Sequence, residues 1–260
     1  MNSSSSIVEW SIALVLFGGL VAAAEIGFWS GRRKHRDSED SNQLGAIQGA
    51  ILGLLALLLG FSFSGASERF SGRVQLIVEE ANAIGTLWLR IDLLPDAKQA
   101  ELRDNLRRYV AERIAFYEAR DAAANGKAIA GSEALQAQLW AAVVSAAKAK
   151  PELAQVLLPP VNEVIDLHGR RVGASQRHLP VLVLLLLLTC SVVAVGAVSY
   201  GGGVAGKRSP VLTNAMAFLV AAVLWAIIDL DHPRRGLIQT GQQPMLDLQK
   251  SLQSPAIAPR

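Results

Sequence analysis

The sequence is short of the residues that most catalytic and metal chemistry requires. Its 260 residues contain one cysteine, Cys190, and four histidines, His35, His168, His178 and His232. One cysteine excludes a disulfide scaffold and any multi-cysteine zinc or iron–sulfur centre. The histidines are scattered at predicted helix ends and loops, and Cys190 falls in an apolar run where a small buried thiol is the ordinary role. There is no phosphate loop, no G-x-S-x-G elbow and no H-E-x-x-H motif. An enzyme is therefore not expected, and neither a cofactor nor a metal is called for by any motif. Charge is scarce as well: 18% of residues are Asp, Glu, Lys or Arg, against 51% hydrophobic and a further 22 glycines. Ordinary soluble domains carry about 25% charge.

The apolar residues are concentrated in long uncharged runs. Ser41 to Ser67 is 27 residues without a charge, Leu179 to Gly206 is 28, and Ser209 to Ile228 is 20. A helix needs about 20 residues to cross a bilayer core. Ile7 to Trp29 is apolar except for Glu9 and Glu25 near its ends, where a carboxylate reaches the headgroups. Four transmembrane helices are predicted, at about 7–29, 44–66, 179–200 and 210–228. Ala22-Ala23-Ala24 has the look of a signal-peptidase site. Met1 to Ser6 carries no Lys or Arg, however, and Glu9 sits where a basic n-region belongs, so an uncleaved helix is expected.

The expected organisation is a first transmembrane pair over 1–66, an extramembrane segment over 67–178, a second pair over 179–228, and an interfacial tail over 229–260. The 67–178 segment holds 15 Lys and Arg against 14 Asp and Glu. Near-neutrality excludes a nucleic-acid surface, which needs a clustered basic face. The pI near 9.2 comes from short patches beside the spans: Arg32-Arg33-Lys34-His35-Arg36, Lys207-Arg208 and Arg234-Arg235. Lys and Arg in short loops set orientation. Six lie in the connections 30–43 and 201–209, which places both termini and 67–178 outside. Arg69, Arg73, Arg170, Arg171, Arg177, Arg234 and Arg235 flank the spans on the other side and nearly balance that count.

A periodic stripe begins in span two and continues past its end. Alternate steps of three and four give Ala46, Gly49, Gly53, Ala56, Gly60, Phe63, Ser67, Phe70, Val74, Ile77, Ala81, Ile84, Trp88 and Ile91. Inside the membrane the stripe is small, which permits close helix approach. Beyond Ser67 it is large and apolar, as a seam packed in water requires. One helix of roughly 45 residues is predicted, ending at Leu93-Leu94-Pro95 because Pro95 disfavours helical geometry at Leu94. Such a rod joins the membrane part to the outer segment, although a stripe of this kind ordinarily reports packing.

The outer segment reads as helical throughout. Asp96 is a candidate N-cap for 97–120, where Leu102, Leu106, Tyr109, Arg113 and Phe116 share a face. Asn125-Gly126 and Gly131 mark a loop, and Ser132 caps 133–149, where Leu135, Leu139 and Val143 recur at helical spacing. Pro151 starts a helix interrupted at Pro159-Pro160, then 161–178 leads to span three with Pro180 at its first turn. Gly201-Gly202-Gly203 reads as a flexible turn. No strand pattern is present, so the fold class is all-α, an integral membrane protein with a helical segment between the second and third spans. In the tail, Leu237-Ile238, Met245, Leu246, Leu248 and Leu252 are expected to lie against the outer helices or the headgroups.

Two polar constellations stand out. Glu79-Glu80-Ala81-Asn82-Ala83-Ile84-Gly85-Thr86 interrupts the apolar surface of the long helix. Asp229-Leu230-Asp231-His232-Pro233-Arg234-Arg235-Gly236 ends span four, where His232, Arg234 and Arg235 meet the negative helix end and Asp231 can pair with an arginine. This reads first as a structural interface turn and second as a metal or ligand site. Two carboxylates are too few for a calcium cage of six to eight oxygens.

Leu52 to Ser64, followed by Glu68-Arg69-Phe70, Glu79 to Thr86, Leu89-Arg90 and Leu93-Leu94-Pro95, resembles the bacterial bestrophin-like membrane proteins. Asp229-Leu230-Asp231, Pro233, Arg235-Gly236-Leu237-Ile238 and Gln243-Pro244 resemble the ending of that family, which is commonly described as a domain of unknown function. The residues carrying these motifs are Glu68, Arg69, Glu80, Asn82, Arg90, Asp229, Asp231 and Arg235. More distantly the chain is similar to bestrophins proper, with Gly60-Phe61 and then Arg69-Phe70 where those proteins carry Gly-Phe and then Arg-Trp-Trp. That similarity implies a pentameric anion channel in the bilayer whose second span lines an apolar neck, with Leu57 and Phe61 at the constriction. Apolar rings gate by dewetting. The sequence departs from the pattern at Gly53, where a third bulky residue is expected, in the missing second tryptophan, and in lacking the calcium-binding acidic run after the last span. Bestrophins also place the helical segment in the cytoplasm, opposite to the basic-loop reading.

Two functions follow as expectations. One is a homo-oligomeric anion channel in a bacterial plasma membrane. The other is a non-conducting scaffold or sensor whose helical segment binds a partner, and whose second span packs its small face against spans of the same subunit.

Overall fold

The structure, a computed structural model, describes residues 3–33, 38–119, 121–232, 234 and 236–253, with side chains undescribed at 3–9, 38–42, 96 and 97. Lys34, His35, Arg36, Pro233 and Arg235, singled out in the sequence, lie outside those residues, and the Glu9 side chain is among those undescribed. The described residues form eight α-helices: α1 (Ser3–Arg32), α2 (Ser38–Arg90), α3 (Asp96–Glu118), α4 (Ala122–Ala149), α5 (Glu152–Gln176), α6 (Val181–Val204), α7 (Pro210–Asp231) and α8 (Gln243–Gln253). A 3-10 turn at Ile91–Leu93 follows α2, and no strand occurs among the described residues. Among the described residues four helices are long and apolar enough to cross a membrane; their uncharged stretches lie in α1, the first half of α2, α6 and α7.

Two compact units are present. The first comprises Met1–Phe70 and His178–Gln239, the second Ser71–Arg177 and Thr240–Arg260.

The first unit is built on close backbone approach. A Cβ at Gly27 would lie 2.2 Å from the Gly196 carbonyl oxygen, at Gly31 2.1 Å from that of Tyr200, and at Gly203 2.2 Å from that of Phe28. Glycine on both helices is thus what lets α1 and α6 touch along their backbones. Leu55, Leu59 and Ala66 of α2 pack with Leu187 and Ala194 of α6 and Leu224, Ile227 and Leu230 of α7. Gln48 donates its side-chain amide to the Ala197 carbonyl at 2.6 Å, the partner an amide requires at membrane depth. Glu25 pairs with Arg208 at 2.6 Å.

The second unit is a helical bundle. Ile77, Ala81, Ile84 and Leu87 of α2 pack with Leu102, Leu106, Tyr109 and Val110 of α3, Leu135, Leu139 and Val143 of α4, Leu157, Val161 and Val164 of α5, and Met245 and Leu252 of α8. The tail helix α8 therefore lies against the outer helices, and Arg107 Nε ties it at the Leu252 carbonyl, 2.9 Å away.

Several local expectations are corrected. The predicted stripe is buried at Ile77, Ala81, Ile84 and Ile91, whereas in the membrane half Gly49, Gly53, Ala56, Gly60 and Phe63 are exposed and Leu55, Leu59 and Ala66 are buried instead. A stripe of mean period 3.5 on a helix of 3.6 residues per turn drifts about 20° per heptad, so over about six heptads it rotates by roughly 120°. Asn125, Gly126, Gly131 and Ser132 lie inside α4, not in a loop. Its N-cap is Asp121, whose carboxylate accepts the Ala124 N–H at 2.7 Å. Gly131 is a packing glycine: a Cβ there would meet the Glu112 carboxyl carbon at 2.9 Å. Buried Ser132 donates back to the Ala128 carbonyl at 2.8 Å. At α3, Pro95 occupies the N-cap position and Asp96 opens the helix.

Helix α5 runs through Pro159 and Pro160 without a break. Pro160 lacks the N–H that would bond the Val156 carbonyl, and Arg90 Nη1 donates to that carbonyl instead, at 2.8 Å. The triple glycine is the last turn of α6, and the turn itself is made by Gly206 alone, at φ +65°. Lys207 N–H bonds the Gly202 carbonyl at 3.0 Å and Gly206 N–H that of Gly203 at 3.2 Å, the paired bonds of a Schellman cap.

Candidate functional site

Leu57 and Phe61 stand one turn apart on α2, 54% and 70% exposed. The opposite side of the same helix, at Leu55, Leu59 and Ala66, is buried. Around Leu57 and Phe61 the chain leaves open space: a Cβ added at Gly45, Gly49, Gly53 or Gly60 would meet nothing within 4 Å. Phe61 and the small residues therefore occupy a face of span two that no other helix among the described residues covers.

The motif residues separate into distinct groups. Glu68 and Asn82 are exposed on α2. Arg90 serves the α5 carbonyl already described, and Arg235 lies outside the described residues. Asp229, fully buried, accepts the backbone N–H of Leu237 and of Ile238, each at 2.8 Å. A Cβ at position 236 would lie 2.3 Å from Asp229 Oδ1, so Gly236 lets the chain fold back over the carboxylate.

Asp231 collects residues from three parts of the first unit. Its two oxygens accept the Leu179 N–H at 3.0 Å, Arg69 Nε stands 3.4 Å from Oδ1, and His178 Nδ1 stands 3.2 Å from Oδ2. The Asp231 carboxylate thus caps the approach to α6 and neutralises Arg69. The His178 and His232 rings are stacked, with centroids 5.2 Å apart and planes at 18°. With Asp229 and Asp231 both engaged by backbone N–H groups, the pair does not present the oxygen cage that calcium needs.

In the second unit Glu80 is the hub of four helices. Fully buried on α2, its Oε1 accepts from Arg113 Nε of α3 at 2.8 Å and from the Tyr109 hydroxyl of α3 at 3.1 Å. Its Oε2 pairs with Arg171 of α5, and Gln136 of α4 donates to the Tyr109 oxygen at 3.2 Å. Burial alone would raise the Glu80 pKa, but the Arg171 and Arg113 guanidiniums beside it hold the carboxyl below its usual range. Burial, together with Glu80, pushes the Tyr109 phenol well above its usual range. Arg113 Nη1 and Nη2 and both ring nitrogens of His168 have no hydrogen-bond partner among the described residues.

His168 gives a pH dependence of defined sign. Burial first, then the Arg113 charge, lowers its pKa from 6.5 to about 4. Between those values the unfolded chain binds a proton that the folded chain does not, so stability is complete above pH 6.5 and is lost as pH falls towards 4. The gap corresponds to about 3 kcal/mol. The thermal midpoint of the purified protein should fall across that window, and His168→Leu should flatten the slope there. An unchanged slope in the variant would show that His168 is not the titrating group.

Sequence reasoning identified Glu80, Tyr109 and Arg113 on their helix faces but missed Arg171, His168, Arg69 as partner of Asp231, and the α1–α6 glycines. For the last a signal existed: Gly27 and Gly31 are four apart, a small-xxx-small spacing.

A family model described as a bestrophin-like domain matches residues 18–245. Among solved structures, a bestrophin homologue from Klebsiella pneumoniae, in a single-substitution variant, superposes with a TM-score of 0.66 at 14% identity, covering 97% of this chain and 98% of that one. A second variant of the same protein gives 0.63 at 14% identity, over 93% and 96%. A structure described only as a membrane protein variant gives 0.70 at 12% identity, over 91% and 97%. At such identities the likeness is one of fold. No curated protein matches.

Proposed function

This chain belongs to the bestrophin-like family, and from that premise we propose that copies of it assemble around their second spans and pass anions through a bacterial plasma membrane. The observation that carries the reading is the uncovered face of α2, where Leu57 and Phe61 project beside glycines with open space around them. Small residues add little contact against lipid but allow close approach of another helix, so a second copy is the better cover. Leu57 and Phe61 would then form apolar rings, and Gly53, one turn before Leu57, a wider level of the same pathway. Five copies is the number that the resemblance to bestrophins implies, and the basic connections support placing 67–178 outside.

The scaffold reading requires the small face of span two to be buried against spans of the same subunit. The open space at Gly45, Gly49, Gly53 and Gly60 speaks against it.

Chloride and nitrate flux from proteoliposomes tests the proposal. Wild-type oligomer is expected to conduct, and Phe61→Ala to raise the flux several-fold by removing the narrower ring. Absence of flux from both, or a native mass of one or two subunits in detergent, would sink the channel and favour the scaffold.

A further inference from the structure

We propose that His178, Asp231 and His232 hold a divalent transition-metal ion of the zinc class. One ligand atom from each lies within 4.8 Å of the others, although His178 precedes α6 and the other two end α7, more than fifty residues away in sequence. Two imidazoles and a carboxylate form a nitrogen-rich set that suits zinc, cobalt or nickel and does not suit calcium or magnesium.

The three side chains are close together, and the stacked His178 and His232 rings, with planes at 18°, must tilt towards one another for their lone pairs to converge on one ion. His178 Nδ1 stands 3.1 Å from the Asp231 carbonyl oxygen and 3.2 Å from its Oδ2; both are acceptors, so Nδ1–H is the donor in the metal-free chain, and ligation through Nδ1 requires the ring proton to move to Nε2. Two ligands about 2.0–2.1 Å from one tetrahedral ion stand roughly 3.3 Å apart, so an ion taking the place of that proton needs little change in the spacing. His232 Nδ1 lies 3.1 Å from the Ile228 carbonyl oxygen. A proton on Nδ1 donated there leaves the Nε2 lone pair free, the arrangement that ligating histidines usually show. Asp231 is only 4% exposed and is held by the Leu179 N–H, so the carboxylate is oriented before an ion arrives. Both histidines are exposed, which leaves the remaining positions to water. Arg69 faces Oδ1, and Oδ2, which shares the Leu179 N–H, is the oxygen on the His178 side. A bound ion would link the start of α6 to the end of α7 and stabilise the folded chain by mass action.

The test uses the full-length protein in detergent, purified without a histidine tag and stripped with a chelator. Titration with Co2+ is expected to load one ion per chain with visible d–d absorption, which Zn2+ displaces and Ca2+ does not. Zn2+ should also raise the thermal midpoint. His178→Ala and His232→Ala should each weaken binding at least about tenfold. Failure to bind Co2+ or Zn2+ at sub-millimolar metal, or undiminished affinity in both variants, would overturn the site. Should a variant misfold, X-ray absorption of the zinc-loaded wild type decides: two imidazoles around zinc support the site, and none refutes it. None of these readings depends on ion flux, so the metal site and the channel stand or fall separately.

Discussion

Glu80→Ala should destabilise the outer helical unit by roughly 3–5 kcal/mol, the usual cost of removing one partner from a buried ion pair. Glu80 is fully buried, Arg113 is fully buried and Arg171 is 6% exposed. Without the carboxylate, two guanidiniums face each other in a helical core, and the Arg113 Nη atoms have no hydrogen-bond partner among the described residues. The Tyr109 hydroxyl would lose its acceptor as well. Glu80→Gln retains an acceptor and loses the charge, so it should fall between wild type and alanine. Replacing all three charged residues together by Leu and Met should restore much of the loss, because apolar groups of similar volume replace a buried triad at little cost. Thermal or chemical unfolding of the purified protein, with limited proteolysis of 71–177, reads each case. A melting curve for Glu80→Ala within about 1 kcal/mol of wild type would show that the triad does not hold the bundle together.

Tyr109 and Arg113 fall on the apolar face of α3 with Leu102, Leu106 and Phe116, and a cation on such a face must be paired when buried. The period therefore announced a buried charge. It did not say which carboxylate would meet it, since Glu80 and Arg113 are 33 positions apart and Glu80 and Arg171 are 91 apart. Nothing local fixes pairings of that range. The same holds for Arg69 and Asp231, where the sequence offered an arginine as partner without saying which.

The errors in helix boundaries have one physical origin. Gly126, Gly131, Pro159, Pro160 and Gly201 to Gly203 carry poor helix propensity, and local reasoning broke a helix at each. In the structure tertiary contacts override propensity at these positions except Gly126, where a Cβ would meet nothing within 4 Å. Glu112 packs where a Cβ at 131 would sit, Arg90 satisfies the carbonyl that Pro160 frees, and Phe28 occupies the space beside Gly203. The spans themselves were readable because a bilayer imposes length and apolarity on each helix without reference to any partner.

The glycines between α1 and α6 support the second large effect. Gly31→Val and Gly203→Val should each prevent the two helices from packing, because the new Cβ would lie 2.1 Å and 2.2 Å from carbonyl oxygens of the facing helix. Backbone oxygens cannot swing aside as a flexible side chain can. The helices must separate by about an ångström or more, along a contact that repeats at Gly27, Gly31 and Gly203. Overpacking commonly costs about 1–3 kcal/mol, and here the loss is compounded because membrane helices are held chiefly by van der Waals contact over their whole length. Monodisperse yield from membranes and the thermal midpoint in detergent should both fall, with Gly31→Ala already showing most of the effect. Gly18→Ala and Gly19→Ala on the same helix, where a Cβ meets nothing within 4 Å, serve as matched controls and should behave as wild type. Equal tolerance at Gly18 and Gly31 would mean that α1 and α6 do not approach as described.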